Sequence, residues 1–417
     1  MEPRSARGKN PLKPARNRMA FFSAFAKSSW EELWKKALGA INKENFHQGI
    51  GLLKKSLASL PKEQEETILT RAKIYQKLGE IYLLIGSLKS AKENLEKSIQ
   101  LVRESQKNSL FPMWKNLSLL GELWLVQGEL PLALENLHQA RQKAEEEGGN
   151  SSSIYRNLGR CYLLQAKYNQ AIEQLHLAII KDEVGNSESL AQSMLQIGYL
   201  CHLLGKSEQA WNYLHNARKL FFLHRKKRLQ ILENLLEGLL WREKKNYTQS
   251  LKCFEQAATI SQSLHLLRLH LRVEEEMALT YIYVNDIINF DRVLKSMEKK
   301  IVHHLSEELH ARWSYLLAWQ EHLNGSQEGA LDIIQTQLEV VQGLGFAELL
   351  WQLYYLQGRV YAQMGKTKEA GESYVAALEK LKNIWSTLNL DLKEDYFKNQ
   401  WRVRVKNEVE RFYYSIE

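Results

Sequence analysis

Small residues alternate with large apolar ones along this chain at intervals that fit the α-helix. One segment sets the pattern, in which Leu78 and Gly79 are followed by Tyr82 and then by Ala91 and Leu95. Intervals of three and four residues place side chains on one face of a helix, whereas a half-buried strand needs alternation by two. Glycine and alanine at such a face let a second helix approach closely, and the larger residues fill the seam. The pattern therefore predicts a pair of antiparallel helices.

The same pattern returns along most of the chain. It is degenerate around Ala37, clear from Gly79 to Gly159, weak around Ala278 and Ala318, and ends with a clear copy around Gly358. The small residue at the helix contact recurs every 38 to 42 residues. Self-similarity at a fixed period indicates an array whose core is buried by stacking one repeat on the next. We predict nine copies, with contact residues Ala37, Gly79, Gly121, Gly159, Gly198, Gly238, Ala278, Ala318 and Gly358.

These residues resemble the tetratricopeptide repeat family, whose repeats carry small residues at the eighth, twentieth and twenty-seventh positions. The resemblance implies an all-α fold, a right-handed α-solenoid of antiparallel helix pairs. Since the standard repeat has about 34 residues, the longer period predicts longer helices or linkers. In its period the chain is similar to tetratricopeptide regions of bacterial signalling and regulatory proteins, and to eukaryotic scaffolds that orient the spindle.

Three segments are expected from this organisation. Residues 1–29 are predicted to be a basic, disordered tail, residues 30–381 the solenoid, and residues 382–417 the C-terminal capping helices. A terminal repeat without a cap would expose an apolar face to water. The segment that follows the last copy is accordingly rich in apolar and aromatic residues at helical intervals, namely Trp385, Leu388, Leu392, Phe397, Trp401, Val405, Val409 and Phe412.

Composition and charge support one long helical array. All six prolines lie at or before Pro131, so few helix breakers remain in the body of the chain. Residues 1–30 carry seven basic side chains and one acidic one, which accounts for +6 of the net charge of +9. The nearly balanced body does not favour a duplex-binding groove. Met19 is a second candidate for the first residue, in which case the basic tail would not be part of the protein.

The cysteines and the N-terminal region bear on localisation. Cys161, Cys201 and Cys253 are odd in number, form no CxxC pair and fall in predicted helices, which favours reduced thiols. The apolar run from Met19 to Ala26 is shorter than a membrane span and lacks a cleavage site, so we predict no signal peptide. A cytoplasmic protein is expected.

No catalytic motif stands out. The sequence contains no GxxxxGK, HExxH or GxSxG, and we predict no enzyme activity, no cofactor, no metal and no small-molecule substrate. His303, Glu307 and His310 have metal-like spacing on one helix face, but a solvated helix end explains them better. His138, His176 and His215 occupy one position in three successive copies. Stacked helices lie about 8–10 Å apart, so these histidines are expected to be packing residues.

The resemblance also implies where a partner binds. In the family, the first helix of each repeat lines the concave surface, and ligands commonly contact its second, fifth, ninth and twelfth positions. No copy supplies the lysine and asparagine with which chaperone-binding members hold a C-terminal carboxylate. The remaining groove carries both signs of charge and suits an extended or helical peptide. The candidate partner-binding residues are Lys73, Gln76, Glu80, Lys115, Ser118, Glu122, Arg156 and Arg160.

Three functions follow, in order of preference. The first is a protein-protein interaction scaffold that binds a peptide or partner protein in the concave groove. The second is a ligand-sensing regulatory module that controls an effector. The third is a nucleic-acid or membrane-associated adaptor that works through the basic N-terminal tail.

Overall fold

The computed structural model describes residues 30–61, 65–105, 111–182, 187–221, 226–301 and 306–414, which contain twenty helices and no strand. The predicted tail, residues 1–29, lies outside this part of the chain. The helices are α1 (30–42), α2 (Phe46–Ser59), α3 (Glu65–Ile85), α4 (Leu88–Glu104), α5 (Met113–Gln127), α6 (Leu130–Glu146), α7 (Ser152–Leu164), α8 (Tyr168–Asp182), α9 (Ser187–Leu203), α10 (Ser207–Phe221), α11 (Lys227–Glu243), α12 (Tyr247–Ser263), α13 (Leu267–Val284), α14 (Ile287–Ile301), α15 (Glu307–Leu323), α16 (Gln327–Leu344), α17 (Ala347–Gln363), α18 (Thr367–Ser386), α19 (Leu390–Tyr396) and α20 (Gln400–Tyr414).

Consecutive helices from α1 to α18 form nine antiparallel pairs, and the predicted all-α solenoid is confirmed. The contact residues behave as their spacing predicts. A Cβ atom added to Gly79 would lie 2.7 Å from Leu95, and one added to Gly358 would lie 2.5 Å from Tyr374. Such distances leave no room for a side chain at these two positions, so glycine allows the two pairs to close.

Each pair turns through one residue in the left-handed region, seven positions after its contact residue. In five of the nine pairs that residue is glycine, which adopts a positive φ without steric cost. The weak copies around Ala278 and Ala318 turn in the same way as the clear ones. The nine turn residues are Glu44, Gly86, Gly128, Ala166, Gly205, Lys245, Asn285, Gly325 and Gly365.

The solenoid is wound so tightly that successive turns touch. The Glu44 carboxylate, between α1 and α2, accepts hydrogen bonds from the backbone amides of Lys227 and Arg228 at the start of α11. Tyr168, at the start of α8, donates to Glu348 at the start of α17. Each contact joins one helix pair to the fifth pair after it, so one superhelical turn holds about five repeats.

Two buried clusters form most of the core. One runs from α5 to the last helix, and the other joins α1–α3 to α11–α13 across adjacent superhelical turns. Packing between turns therefore adds to the packing within and between neighbouring repeats. The first helices of neighbouring pairs from α3 to α17 contact one another, and α5 contacts α15 across the superhelical turn, so these helices face the interior of the superhelix.

The chain ends in two helices after α18. That helix runs to Ser386, slightly beyond the predicted limit of the solenoid, and is followed by the short α19 and by α20. Leu392 and Tyr396 of α19 are buried, as are Val405 and Val409 of α20. The division into tail, solenoid and cap at residues 29 and 381 remains a prediction.

Candidate partner-binding site

The interior of the superhelix carries a stripe of charged side chains. On α13, Arg272 lies four residues after Arg268, and Glu275 and Glu276 lie three and four residues after Arg272, which places the four on one helix face. This is the face that carries the second and fifth repeat positions. Tight winding brings it within reach of residues on α9, α11 and α15.

The first part of this stripe centres on Glu276. Its carboxylate lies 2.7 Å from Arg242 of α11 and 3.4 Å from Arg272. Arg272 also donates to the Tyr199 hydroxyl of α9 over 2.6 Å. Burial favours the neutral form of Glu276, but the two arginines outweigh it and hold the pKa of Glu276 below its ordinary value. Glu276 is therefore charged at neutral pH.

The second part continues from α13 to α15. Glu275 bridges Arg272 at 2.8 Å and Arg312 at 3.0 Å, and Arg312 pairs with Glu308 at 3.2 Å. Burial opposes ionisation of Glu308, yet Arg312 and Arg272 hold the pKa of its carboxyl below the ordinary value. Charges thus alternate along the interior. We call this set the interior charge ladder, formed by Arg242, Glu276, Arg272, Glu275, Arg312 and Glu308.

Arg268 stands beside the ladder without a partner. It forms no hydrogen bond or ion pair with any residue that the structure describes, although Arg160, Glu122 and Glu308 surround it electrostatically. Burial and the neighbouring Arg160 lower the pKa of Arg268 to about 10, so it remains a cation at neutral pH. Arg160 and Glu122 themselves pair at 3.5 Å. Side chains of repeats three, four, seven and eight therefore lie close together here. Among them, the positive charge of Arg268 is the one left without an ion pair in the described residues.

An aromatic surface follows the ladder towards the C-terminus, and α20 covers it. The Trp401 ring lies 5.2 Å from Tyr283 of α13, 6.4 Å from Trp319 of α15 and 5.8 Å from Tyr355 of α17. Glu408, two turns further along α20, accepts a hydrogen bond from Tyr355 and pairs with Arg359 at 3.2 Å. The last helix thus lies across the inner faces of α13, α15 and α17.

One arginine anchors the start of α20. Arg402 is 2% exposed and pairs with Glu348 at 2.7 Å. It also donates to the backbone carbonyl of Leu203, the last residue of α9, and stacks on the Tyr396 ring at 3.7 Å. These bonds join the cap to the fifth repeat as well as to the ninth.

The predicted binding residues fall into two groups. Glu122 and Arg160 lie at the interior site beside Arg268. Lys73, Lys115 and Glu80 are exposed on the first helices of repeats two and three.

The other three predicted residues are engaged within the protein. Gln76 donates to Asn116 over 3.0 Å, and Ser118 is buried. Arg156 is also buried and pairs with Asp182 at 3.0 Å while donating to Ser193. We therefore assign Arg156 to the packing between α7, α8 and α9. The role of the eight residues in partner binding stays a prediction.

The ladder and its surplus arginine were not among the predicted residues. Apart from Arg242 of α11, they lie in the copies around Ala278 and Ala318, where the repeat pattern is weakest. The available signal was positional, since Arg272 and Arg312 occupy the second position of their repeats and Glu275 the fifth.

The histidines singled out by their spacing in the sequence lie in different surroundings. His303 lies outside the described residues, and His310 bonds the Ile301 carbonyl at 3.1 Å. Burial lowers the pKa of His138 and His176. Within the described ranges, no group of three or more potential ligands is placed to hold a metal ion. In the same ranges, no helix is long and apolar enough to cross a membrane.

Two stretches of the repeat array match a known protein family. A family model described as tetratricopeptide repeat matches residues 72–103 and 352–379, which contain parts of the second and ninth helix pairs. The predicted resemblance is confirmed. None of the curated proteins matches the sequence significantly.

Solved structures with the same tetratricopeptide-type fold cover most of the chain. A Rap protein complexed with competence and sporulation factor is 12% identical, with a TM-score of 0.64 over 88% of this chain and 100% of its own. NprR in complex with its cognate peptide NprX is 14% identical, with a TM-score of 0.59 over 84% and 99%. The apo form of the quorum sensor NprR from B. thuringiensis is 14% identical, with a TM-score of 0.51 over 84% and 98%. At this level of identity the likeness shows the fold alone.

Proposed function

We propose that this protein binds a peptide, or a peptide-like segment of a partner protein, inside its tetratricopeptide superhelix, at the site around Arg160 and Arg268. The single observation that carries the proposal is Arg268, a partly buried arginine without a hydrogen bond or ion pair in the described residues. A partly buried cation whose guanidinium makes no hydrogen bond or ion pair is unfavourable, and the attraction of Glu122 and Glu308 offsets only part of this cost. A ligand that brings a carboxylate to Arg268 removes this cost.

The charge balance of the interior supports an anionic ligand group. Every acidic side chain of the ladder already faces at least one arginine, and Glu122 faces Arg160. Arg268 is the cation left over. Arginine suits such a role because its planar guanidinium can bind a carboxylate through two hydrogen bonds.

The comparisons support binding rather than catalysis. NprR binds its cognate peptide NprX on a scaffold of the same fold. We extend peptide binding to this chain and propose that it acts through its partner, without a reaction of its own. Cys161, Cys201 and Cys253 are buried and free, which agrees with the proposed cytoplasmic location.

The proposal can be tested with a pool of random synthetic heptapeptides. The immobilised protein is incubated with the pool, and retained peptides are sequenced by mass spectrometry. We expect the retained fraction to be enriched in Asp and Glu, and Arg268→Gln to remove the enrichment because it removes the unpaired charge.

Arg103→Gln is the matched control, since Arg103 is exposed on α4, away from the interior. It should leave the retained peptides unchanged. No retention above the bare resin, or equal retention by Arg268→Gln and the wild type, would rule out this site.

A ligand-sensing regulatory module is the second candidate. The contacts between superhelical turns favour it, because a ligand that changes the pitch must break or remake bonds such as those of Glu44 with α11. Small-angle scattering with and without a retained peptide separates the two candidates. An unchanged radius of gyration favours the scaffold, and a changed one favours the module.

A further inference from the structure

The helix α20 supplies acceptors for only some of the hydrogen-bond donors on the aromatic surface that it covers. The Tyr315 hydroxyl and the Trp319 Nε1 are buried and interact only with each other, which leaves the Tyr315 hydroxyl proton without an acceptor in the described part of the chain. One terminal nitrogen of Arg359 is also buried there without a hydrogen-bond partner. Tyr315 and Trp319 are 3% and 1% exposed. All three groups can donate, and a buried donor without an acceptor is unfavourable. This surface lacks acceptors.

The charged side chains of α20 also fit this surface poorly. Arg404 places its guanidinium 5.4 Å from the Tyr283 ring, and Arg242 already lies 5.6 Å from the same ring. Arg359 contributes another cation nearby, 5.1 Å from the Trp319 ring. Against these arginines α20 supplies one carboxylate, that of Glu408. The helix therefore places the Arg404 cation close to buried donors that need hydrogen-bond acceptors.

We propose that the inner surface of α15 and α17 is a second peptide-binding site, and that α20 fills it as an internal ligand which an acidic peptide displaces. The external ligand is a peptide that keeps an acceptor at the place of Glu408 and brings a further carboxylate to Tyr315, Trp319 and Arg359. The inference rests on the proposed function, since it places a ligand inside the same superhelix. It differs in the site, which does not include Arg268.

The anchoring of α20 allows such a displacement. Arg402 holds the start of the helix through Glu348, Tyr396 and the Leu203 carbonyl. Beyond it, only Val405 and Val409 are buried. The segment Val403–Tyr414, which carries Arg404 and Glu408, can therefore leave while Trp401, Arg402 and α19 stay in place. No repeat has to unfold, because α20 is the last helix described.

An internal ligand of this kind sets the apparent affinity for an external one. The external peptide binds only molecules in which Val403–Tyr414 has left the surface, so a smaller fraction of such molecules means a weaker apparent affinity. Weakening α20 should strengthen peptide binding, and improving its fit should weaken peptide binding. These opposite directions distinguish competition from a general loss of stability.

Two synthetic peptides serve as probes of the full-length protein. One copies Val403–Tyr414, and the other is the same peptide with Arg404→Glu. We expect the Arg404→Glu peptide to bind the wild type more tightly than the plain copy, because it brings a carboxylate to the unpaired donors. Hydrogen exchange of residues 403–414 in the protein should accelerate when it binds.

Changes in the protein test the competition directly. Glu408→Gln removes the one carboxylate of α20 at this surface, and we expect at least about tenfold tighter binding of the Arg404→Glu peptide with faster exchange in α20. Arg404→Glu in the protein should act in reverse, with slower exchange in α20 and weaker peptide binding. Arg359→Gln loosens α20 as Glu408→Gln does, because the two residues pair with each other, but it also removes a cation that the ligand pairs with. It should therefore bind the peptide more weakly than Glu408→Gln does.

Glu410→Gln is the matched control. Glu410 is an exposed glutamate on the same helix, paired only with Lys406 at 3.8 Å. It should leave peptide binding and exchange unchanged. The proposal is overturned if Glu408→Gln and Glu410→Gln bind the probe equally, or if Arg404→Glu in the protein strengthens binding. Selection of acidic peptides that depends on Arg268 would then still stand, so the two proposals can fail separately.

Discussion

At the scale of single residues, burial separates side chains that the repeat pattern treats alike. Arg156 and Arg160 lie one helical turn apart on α7 and were both predicted to line the groove. Arg156 is 10% exposed and pairs with Asp182, whose side chain is 0% exposed. Arg160 is 25% exposed and pairs with Glu122 at a longer distance. The first arginine holds helices together, whereas the second remains available at the interior site.

This difference predicts unequal effects on stability. Arg156→Ala should lower the free energy of unfolding by about 3–5 kcal/mol, because it leaves the Asp182 carboxylate buried without its partner. Arg160→Ala should lower it by about 1 kcal/mol or less, since a partly exposed pair contributes little. Denaturation in urea measures both. Equal losses would contradict the assignment of Arg156 to packing.

At the scale of elements, helix ends depend on residues far away in the sequence. The α11 helix begins at Lys227, and its N-cap residue Lys226 provides no capping side chain. The Glu44 carboxylate supplies the missing acceptor at 2.8 Å and 2.9 Å, from a turn on the adjacent superhelical turn. A carboxylate at a helix N-terminus satisfies free amides and interacts favourably with the helix dipole.

Glu44→Ala should therefore loosen the start of α11. We expect a loss of about 1 kcal/mol in the free energy of unfolding and faster hydrogen exchange at Lys227 and Arg228. Glu129→Ala is the control, because Glu129 is an exposed turn residue whose side chain caps no helix. Protection of α11 that is unchanged in Glu44→Ala would show that the contact between turns is not stabilising.

At the scale of the whole molecule, ionised carboxylates hold the interior and the cap together. Burial would raise the pKa of Glu276, Glu308 and Glu348, but facing arginines outweigh it and hold each pKa below the ordinary value of 4.5. A carboxyl whose pKa is lower in the folded state stabilises the fold above its unfolded value. That stabilisation is lost as the pH falls through the folded value.

The thermal midpoint should accordingly stay high down to about pH 5 and fall steeply below about pH 4.5. Glu348→Gln should make this fall less steep, because the contribution of that carboxyl is already removed. Glu298→Gln, a change at an exposed glutamate of α14, should leave the slope unaltered. Calorimetry from pH 3 to pH 7 measures the three curves, and a midpoint independent of pH would refute the argument.

The sequence predicted the repeats better than it predicted the site. Gly79 and Gly358 are recognisable because close helix contact admits few residue types, and their spacing persists where other positions vary. Arg268 and Arg272 have no such signature, since an arginine on a helix face is compatible with solvent or with burial. They also lie in weak copies of the repeat, where the repeat position of each residue is harder to recognise from the sequence.

The sequence by itself determined the helix pairs, their number and their turns, because these depend on contacts between residues within about 40 positions of one another. Only the tertiary structure decided what the interior contains. Winding at about five repeats per turn brings α5 and α7 to α13 and α15, leaves Arg268 without a partner and lays α20 across α17. These contacts join residues more than 50 positions apart, and no local pattern encodes the superhelical pitch that creates them.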